Sequence, residues 1–365
     1  MRPRRPRQAA TARWALVAAI VLAAAGCAAG GDGSLPQNAL DPAGPVARAQ
    51  DDLWNIVFSI AVGVFVLVQG MLLVVIFRFR SRRGDDPTAL PKQVAGNTRL
   101  EVVWTLIPAM ILVGIAVPTV RTIFELSSQP DDAMEVRVVG KQYWWEFEYL
   151  DGDGDPENNL VTANELHIPV GRPVFLRMES LGQQPTDPAG VVHSFWVPRL
   201  AGKQDVVPGH VRTMTIQADE PGVYPGQCAE FCGLSHANMR FVVIAQEQAE
   251  FEQWQEEQSQ PAEEPTDDLA ARGAQEFVDA TCIACHAING FETADGTQAN
   301  ARVGPNLTHF ASRDTFAGAT FERTEENLRA WLRNPPAMKP GSQMPNLNLT
   351  DEQIDALVAY LQTLE

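Results

Sequence analysis

The stretch GVYPGQCAEFCGLSHANMRFVV, Gly222 to Val243, sets two cysteines, a histidine and a methionine between two apolar runs. Cys228, Cys232 and His236 follow at intervals of four residues, and Met239 comes three later. The run VVHSFWV supplies a further donor, His193, from far away in sequence. Zinc would accept Cys228, Cys232, His193 and His236 in a closed tetrahedral shell, but Met239 would then be idle. A disulfide between the two cysteines would destroy the ligand set. Two thiolates, two imidazoles and a thioether are the soft set that copper prefers.

The surroundings are β-rich. Between about Glu135 and Ala245 lie the short runs EVRVVG, QYWWEFEYL, ELHIPV, PVFLRMES, VRTMTIQ and FVVIAQ, separated by turn-rich pieces such as DGDGDP, SLGQQPTDPAG and PGVYPG. That pattern predicts an antiparallel sandwich. DGDGDP is a hairpin loop and not an EF-hand, because Pro156 stands where the calcium loop needs Gly and Thr162 where it needs a bidentate Glu.

Upstream, Leu53 to Phe77 contains 25 residues without a formal charge, a helix of about 37 Å that can cross a bilayer with some tilt. Val102 to Phe124 is a second span, broken only by Arg121, and its Pro108 and Pro118 are tolerated in membrane helices. Arg78, Arg80, Arg82, Arg83, Lys92 and Arg99 between the spans outweigh Asp85, Asp86 and Glu101. The positive-inside rule puts that loop in the cytoplasm and everything after about residue 126 outside. The N-terminus agrees: Arg2, Arg4, Arg5, Arg7 and Arg13 accompany the short apolar run WALVAAIVLAAAGC, the form of an export signal. Ala24-Ala25-Gly26-Cys27 resembles a bacterial lipobox, which would leave Cys27 as the lipid-bearing first residue; an ordinary small-residue cleavage site is the other reading.

Downstream, residues 246 to 268 are acidic, carry no base and include Pro261 and Pro265, which reads as a solvated helix end and a flexible linker. Cys282-Ile283-Ala284-Cys285-His286 then forms a c-type haem attachment motif. Its thiols add to the haem vinyl groups and His286 is the proximal iron ligand. A length of 365 residues allows several separate cores, and a net charge of −17 argues against nucleic acid as a partner.

His193 with Cys228-Ala229-Glu230-Phe231-Cys232-Gly233-Leu234-Ser235-His236 and Met239 resembles the dinuclear copper (CuA) site of subunit II of haem-copper cytochrome c oxidases. The resemblance implies a cupredoxin-like domain in which Cys228 and Cys232 bridge two coppers. His193 and His236 would terminate the site, and Met239 and the Glu230 carbonyl would complete it. The Glu230 carboxylate would reach a magnesium ion shared with subunit I. EVVWTLIPA in the second span and KQYWWEFEY before the sandwich also resemble this family. By that likeness Glu101 sits at the mouth of a proton channel into subunit I, and Tyr143 and Trp144 mark the electron input point. Many relatives carry Trp-Tyr-Trp where this chain has Tyr143-Trp144-Trp145, which implies a different donor geometry.

Gly304-Pro305-Asn306-Leu307 is similar to the segment after the haem in class I cytochromes c, whose Pro carbonyl orients the proximal His. Of the two candidate sixth ligands, Met338 and Met344, the likeness favours Met344, with its Met-Pro dipeptide and the Thr350-x-x-Gln353 capping box that opens the last helix. His309 is the non-methionine alternative and is expected at the surface; His167 and His210 show no partner.

The expected organisation is a lipoprotein-type signal (1–26), an external segment (27–50), a transmembrane hairpin (51–125), a cupredoxin-like copper domain (126–245), an acidic linker (246–268) and an all-α class I cytochrome c domain (269–365). The resemblance is to caa3-type oxidase subunit II. It implies an electron-input subunit of a bacterial membrane complex, its copper and haem domains on the external, periplasmic side. Its partners would be subunits I and III and an upstream donor, a cytochrome c or bc complex. A CuA-dependent nitric oxide reductase and a non-redox scaffold subunit of a quinol oxidase are the alternatives. All five cysteines find a use: one lipid anchor, two copper thiolates and two haem thioethers.

Overall fold

The computed structural model describes residues 36–80, 93, 95–150, 159–182 and 190–365. The export signal, Cys27 and the DGDGDP turn therefore lie outside the described residues.

Two long helices come first, α1 (Pro45–Phe79) and α2 (Thr98–Ser127). Both are long and apolar enough to cross a membrane, and their apolar windows are not buried by the rest of the chain. Helix α2 starts at Asn97, whose side chain accepts hydrogen bonds from the backbone N–H groups of Arg99 and Leu100. Pro108 and Pro118 lie inside it. Helix α1 begins within the expected external segment, and its first turn is not free. Arg48 pairs with Asp219, and the Ala43 backbone exchanges hydrogen bonds with Arg199 and Asp219 at 2.8 and 2.9 Å. The segment around residues 199–219 is thereby clamped onto the N-terminal end of α1.

The middle of the chain forms two five-stranded sheets. One has the order β3 (Leu160–Ala163), β2 (Trp144–Tyr149), β1 (Met134–Lys141), β5 (Val174–Ser180), β8 (Arg212–Ile216). The other runs β4 (Glu165–Pro169), β10 (Arg240–Gln246), β9 (Gly222–Cys228), β6 (His193–Trp196), β7 (Lys203–Val206). The expected sandwich is present but is not wholly antiparallel: β1 pairs with β5, and β4 with β10, in parallel. Chain crossovers between the sheets bring these strands back in the same direction, which no local pattern announces. Trp145, Phe147, Phe195 and Phe241 fill the centre with tilted and edge-to-face contacts. Gly226 makes room for them, because a Cβ there would collide with Cζ of the Phe241 ring.

The acidic segment holds the expected helix end, but that helix is docked and not wholly solvated. Residues Gln248–Gln258 form helix α3, which buries Phe251 and stacks Trp254 on His167 at 4.0 Å and 8°. Acidic composition describes only the outer face of this helix; the two aromatics dock it. His167 thus has partners after all. It is buried, and Nδ1 meets Gln246 Oε1 at 2.7 Å.

The last unit packs α4 (Asp268–Asp279) against α7 (Asp351–Leu361), with α5 (Glu325–Arg333) and α6 (Pro335–Met338) between them in sequence. The crossing passes over Gly273, where any Cβ would collide with the Ala356 carbonyl. Thr350 and Gln353 form the expected capping box. Two short ladders, β11 (Ala287–Glu292) with β12 (Gln298–Asn300) and β13 (Thr315–Phe316) with β14 (Phe321–Glu322), accompany the helices.

Candidate metal and haem centres

Strands β9 and β10 form a hairpin in which Gln227 pairs with Arg240, and Cys228, Glu230, Cys232, His236 and Met239 lie at its tip. The base is closed by Cys228 N–H donating to the Met239 carbonyl at 2.9 Å. On the other side β6 runs antiparallel to β9 with Phe195 opposite Cys228, which carries His193 to the tip. His193 is fully buried. Gly140 of β1 passes so near that a Cβ would lie 2.9 Å from His193 Cδ2.

The six expected donors converge. Cys228 Sγ lies 3.9 Å from His193 Nδ1, 3.9 Å from Cys232 Sγ and 3.3 Å from the Glu230 carbonyl. Cys232 Sγ lies 3.8 Å from both His236 Nδ1 and Met239 Sδ. The cysteines are free thiols, and donors that share one ion at about 2.0–2.3 Å in a tetrahedral shell stand roughly 3.5–4 Å apart. The spacing therefore suits donors that would hold metal between them. The charge also fits. The hydrogen bond from Cys232 pushes the Cys228 thiol far down, while the neighbouring sulfur and burial push Cys232 up. A second thiolate in this buried pair needs a cation beside it. The Glu230 carboxylate is turned outward, accepting from Phe231 N–H at 3.1 Å. Phe231 and Leu234 on the same loop are 75% and 80% exposed.

In the last unit a cavity of about 260 Å³ is lined by Cys282, Cys285, His286, Leu307, Trp331 and Met344. His286 Nδ1 bonds the Pro305 carbonyl at 2.8 Å, so Nε2 is the nitrogen left for a ligand. Burial holds this imidazole below its usual pKa, in the neutral form an iron ligand needs. Gly304 approaches its ring so closely that a Cβ there would lie 2.7 Å from Cε1. Met344 Sδ accepts from Trp331 Nε1 at 3.2 Å, whereas Met338 is not part of this lining. His309 is buried instead of exposed, its ring bonding the Glu365 and Gln260 carbonyls at 2.6 and 3.1 Å. A histidine on a polar stretch carries no mark of the chain end that covers it. His210 is exposed, and Glu101 sits in the first turn of α2.

The two centres share a wall, which the sequence does not announce. Gln142, Tyr143, Trp144 and Asn164 of the sandwich also line the cavity. Tyr143 is 7% exposed, its hydroxyl accepts from Leu234 N–H at 3.1 Å, and Gln142 Nε2 donates to the Cys232 carbonyl at 2.6 Å. Arg302 of the haem unit bonds Glu146 and Glu148 of β2 at 2.7 and 2.9 Å. With Asn159 and Arg137 it draws the Glu148 carboxyl down to about 2, against the opposing effect of burial.

Family comparisons agree with this layout. The transmembrane domain of cytochrome c oxidase subunit II matches residues 35–122, its periplasmic domain residues 134–246, and cytochrome c residues 270–365. Cytochrome c oxidase subunit 2 of Alkalihalophilus pseudofirmus is 41% identical over 337 residues, covering 90% of each chain. That of Bacillus subtilis is 34% identical over 96% of each. A quinol oxidase subunit 2 of Bacillus spizizenii is 35% identical over 59% of this chain and 64% of its own. Among solved structures, the periplasmic domain of cytochrome oxidase subunit II from Bradyrhizobium japonicum is 25% identical, covers 35% of this chain and 94% of its own, and has a TM-score of 0.31. The chain belongs to the cytochrome c oxidase subunit II family, in the caa3-type form that carries a fused C-terminal cytochrome c domain.

Proposed function

We propose that Cys228, Cys232, His193, His236, Met239 and the Glu230 carbonyl hold the dinuclear copper, and that Cys282, Cys285, His286 and Met344 hold haem c. The observation carrying this is the convergence of six soft and neutral donors, drawn from two strands and one loop, on a single point. When bound, these groups supply two one-electron relays for the electron-input role of the subunit. The chain's own part is to keep the donors still. The Cys228–Met239 backbone closure and the close approach of Gly140 fix His193 and the sulfurs before any electron arrives. Tyr143 is the bridge, since the residue lines the haem cavity while its hydroxyl touches the copper loop. Buried as it is, it is addressed by the tethered haem domain and not by a free cytochrome.

Exposed Phe231 and Leu234 beside His236 form an apolar surface suited to subunit I, where oxygen is reduced, and the outward Glu230 carboxylate is available to a shared magnesium. Subunit III and an upstream cytochrome c or bc complex complete the set of partners. The copper and haem domains lie on the external side, Glu101 opens a proton path from the other side, and Cys27 carries lipid. The cytochrome c domain, together with the gathered thiols, favours this reading over a scaffold role. Substituting Cys228→Ser in the purified complex tests it: the copper signal should vanish while donor still reduces haem c, and reoxidation by oxygen should become slow. Reoxidation at the wild-type rate would refute passage through this site.

A further inference from the structure

Lys339 follows α6 and stands five residues before Met344, yet it is only 3% exposed. Its Nζ donates to the Tyr143 carbonyl of the copper domain at 2.8 Å and to the Ala317 carbonyl of the haem domain at 2.7 Å. Around it the boundary is tight. Arg240 N–H donates to the Gly318 carbonyl at 3.0 Å, Thr320 Oγ1 to the Asn238 carbonyl at 3.0 Å, and Ser235 Oγ to the Pro340 carbonyl. A Cβ on Gly318 would stand 2.7 Å from Nζ and 2.9 Å from the carbonyl oxygens of Asn238 and Tyr143. The copper-domain partners are the neighbours of His236 and Met239, so the haem domain rests on the metal loop itself.

A buried ammonium costs free energy, and an apolar side chain of similar bulk would serve simple cohesion as well. Burial lowers the Lys339 amine to about 7, with Cys232 opposing the shift. Protonated or neutral, it keeps at least two N–H groups for its two carbonyls. What lysine provides is a single point that fixes two backbones from two domains at hydrogen-bond tolerance. We propose that Lys339 is a positioning residue for electron transfer, registering the haem domain on the copper loop so that Tyr143 stays in the wall of the haem cavity. The proposal rests on the metal and haem assignments above for its consequence, but not for the contact it describes.

The test uses Lys339→Met in the full chain within its purified oxidase complex. Hydrogen exchange of the Arg240 amide, whose acceptor lies across the boundary, should accelerate about ten- to hundredfold, the loss expected for the two hydrogen bonds that Nζ makes. Haem-to-copper electron transfer should slow in parallel, with the sulfur-to-iron band and the copper signature intact. Gly318→Ala, which crowds Nζ and both neighbouring carbonyls while Lys339 itself is kept, should do the same. Unchanged exchange in both variants overturns the proposal. So does faster exchange with an unchanged transfer rate, and so does loss of the sulfur-to-iron band, which would make Lys339 a residue of haem ligation. Exchange is read without reference to which residues hold metal, so a wrong ligand assignment and a wrong contact fail separately.

Discussion

Replacing Gly140 by Ala should damage the copper site while sparing the fold. The added Cβ would meet His193 Cδ2 at 2.9 Å and both His193 Cγ and Trp145 Cζ3 at 3.2 Å. Ordinary carbon contacts begin at about 3.5 Å, so the imidazole must retreat by roughly half an ångström. Trp145 is buried among Phe195 and Phe241 and has little freedom to yield. Overpacking of this kind costs about 1–3 kcal/mol, while Gly to Ala in a strand returns about 0.5–1 kcal/mol. A net loss of at most about 2.5 kcal/mol leaves the sandwich folded. The metal is less forgiving, because donor sets need placement within about 0.5 Å and disturbed supporting contacts cost about 10- to 100-fold in metal affinity. Copper content and affinity, with the visible and electron-spin-resonance spectra of the purified protein, read the effect directly. Wild-type affinity and spectra in a folded Gly140→Ala protein would refute the claim that this close approach sets the position of His193.

The haem cavity makes a second claim: Met344→Ala should abolish the sulfur-to-iron band of the oxidised haem and lower its reduction potential, and Met338→Ala should change neither. The reverse pattern would exchange the two roles. A third concerns acid. Burial depresses His167 from 6.5 to about 4, so the unfolded chain binds more protons between those values. The stabilisation is present above about pH 6.5 and is lost as pH falls toward 4. Docking of α3 should weaken by about 2–3 kcal/mol over that range, seen as an acid-dependent drop in melting temperature. His167→Gln should flatten the drop, and an equally steep decline in the variant would assign it to other groups.

Much of the site was legible because its chemistry lies in covalent spacing. The intervals joining Cys228, Cys232, His236 and Met239 suit a single loop, and Cys282, Cys285 and His286 suit one turn beside a haem edge. Membrane spans were legible for a similar reason, since uninterrupted apolar length is a local property. The docking of helix α3 was not legible because its charges outnumber the two aromatics, Phe251 and Trp254, that dock it. His309 was misplaced because its partners are the chain end and Gln260.

By itself, then, the sequence determined the order of the domains and marked most of the side chains that the fold gathers at both candidate centres, since these depend on residue type and on neighbours a few positions away. Tertiary structure decided that His193 joins thiols 35 residues away, through the antiparallel register of β6 and β9. It also decided that Tyr143 forms part of the haem cavity and that Lys339 reaches its carbonyl across 196 residues. Such contacts depend on strand register, loop closure and the packing of one domain on another, which are set by the free energy of the whole chain and leave no periodic trace in any segment of it.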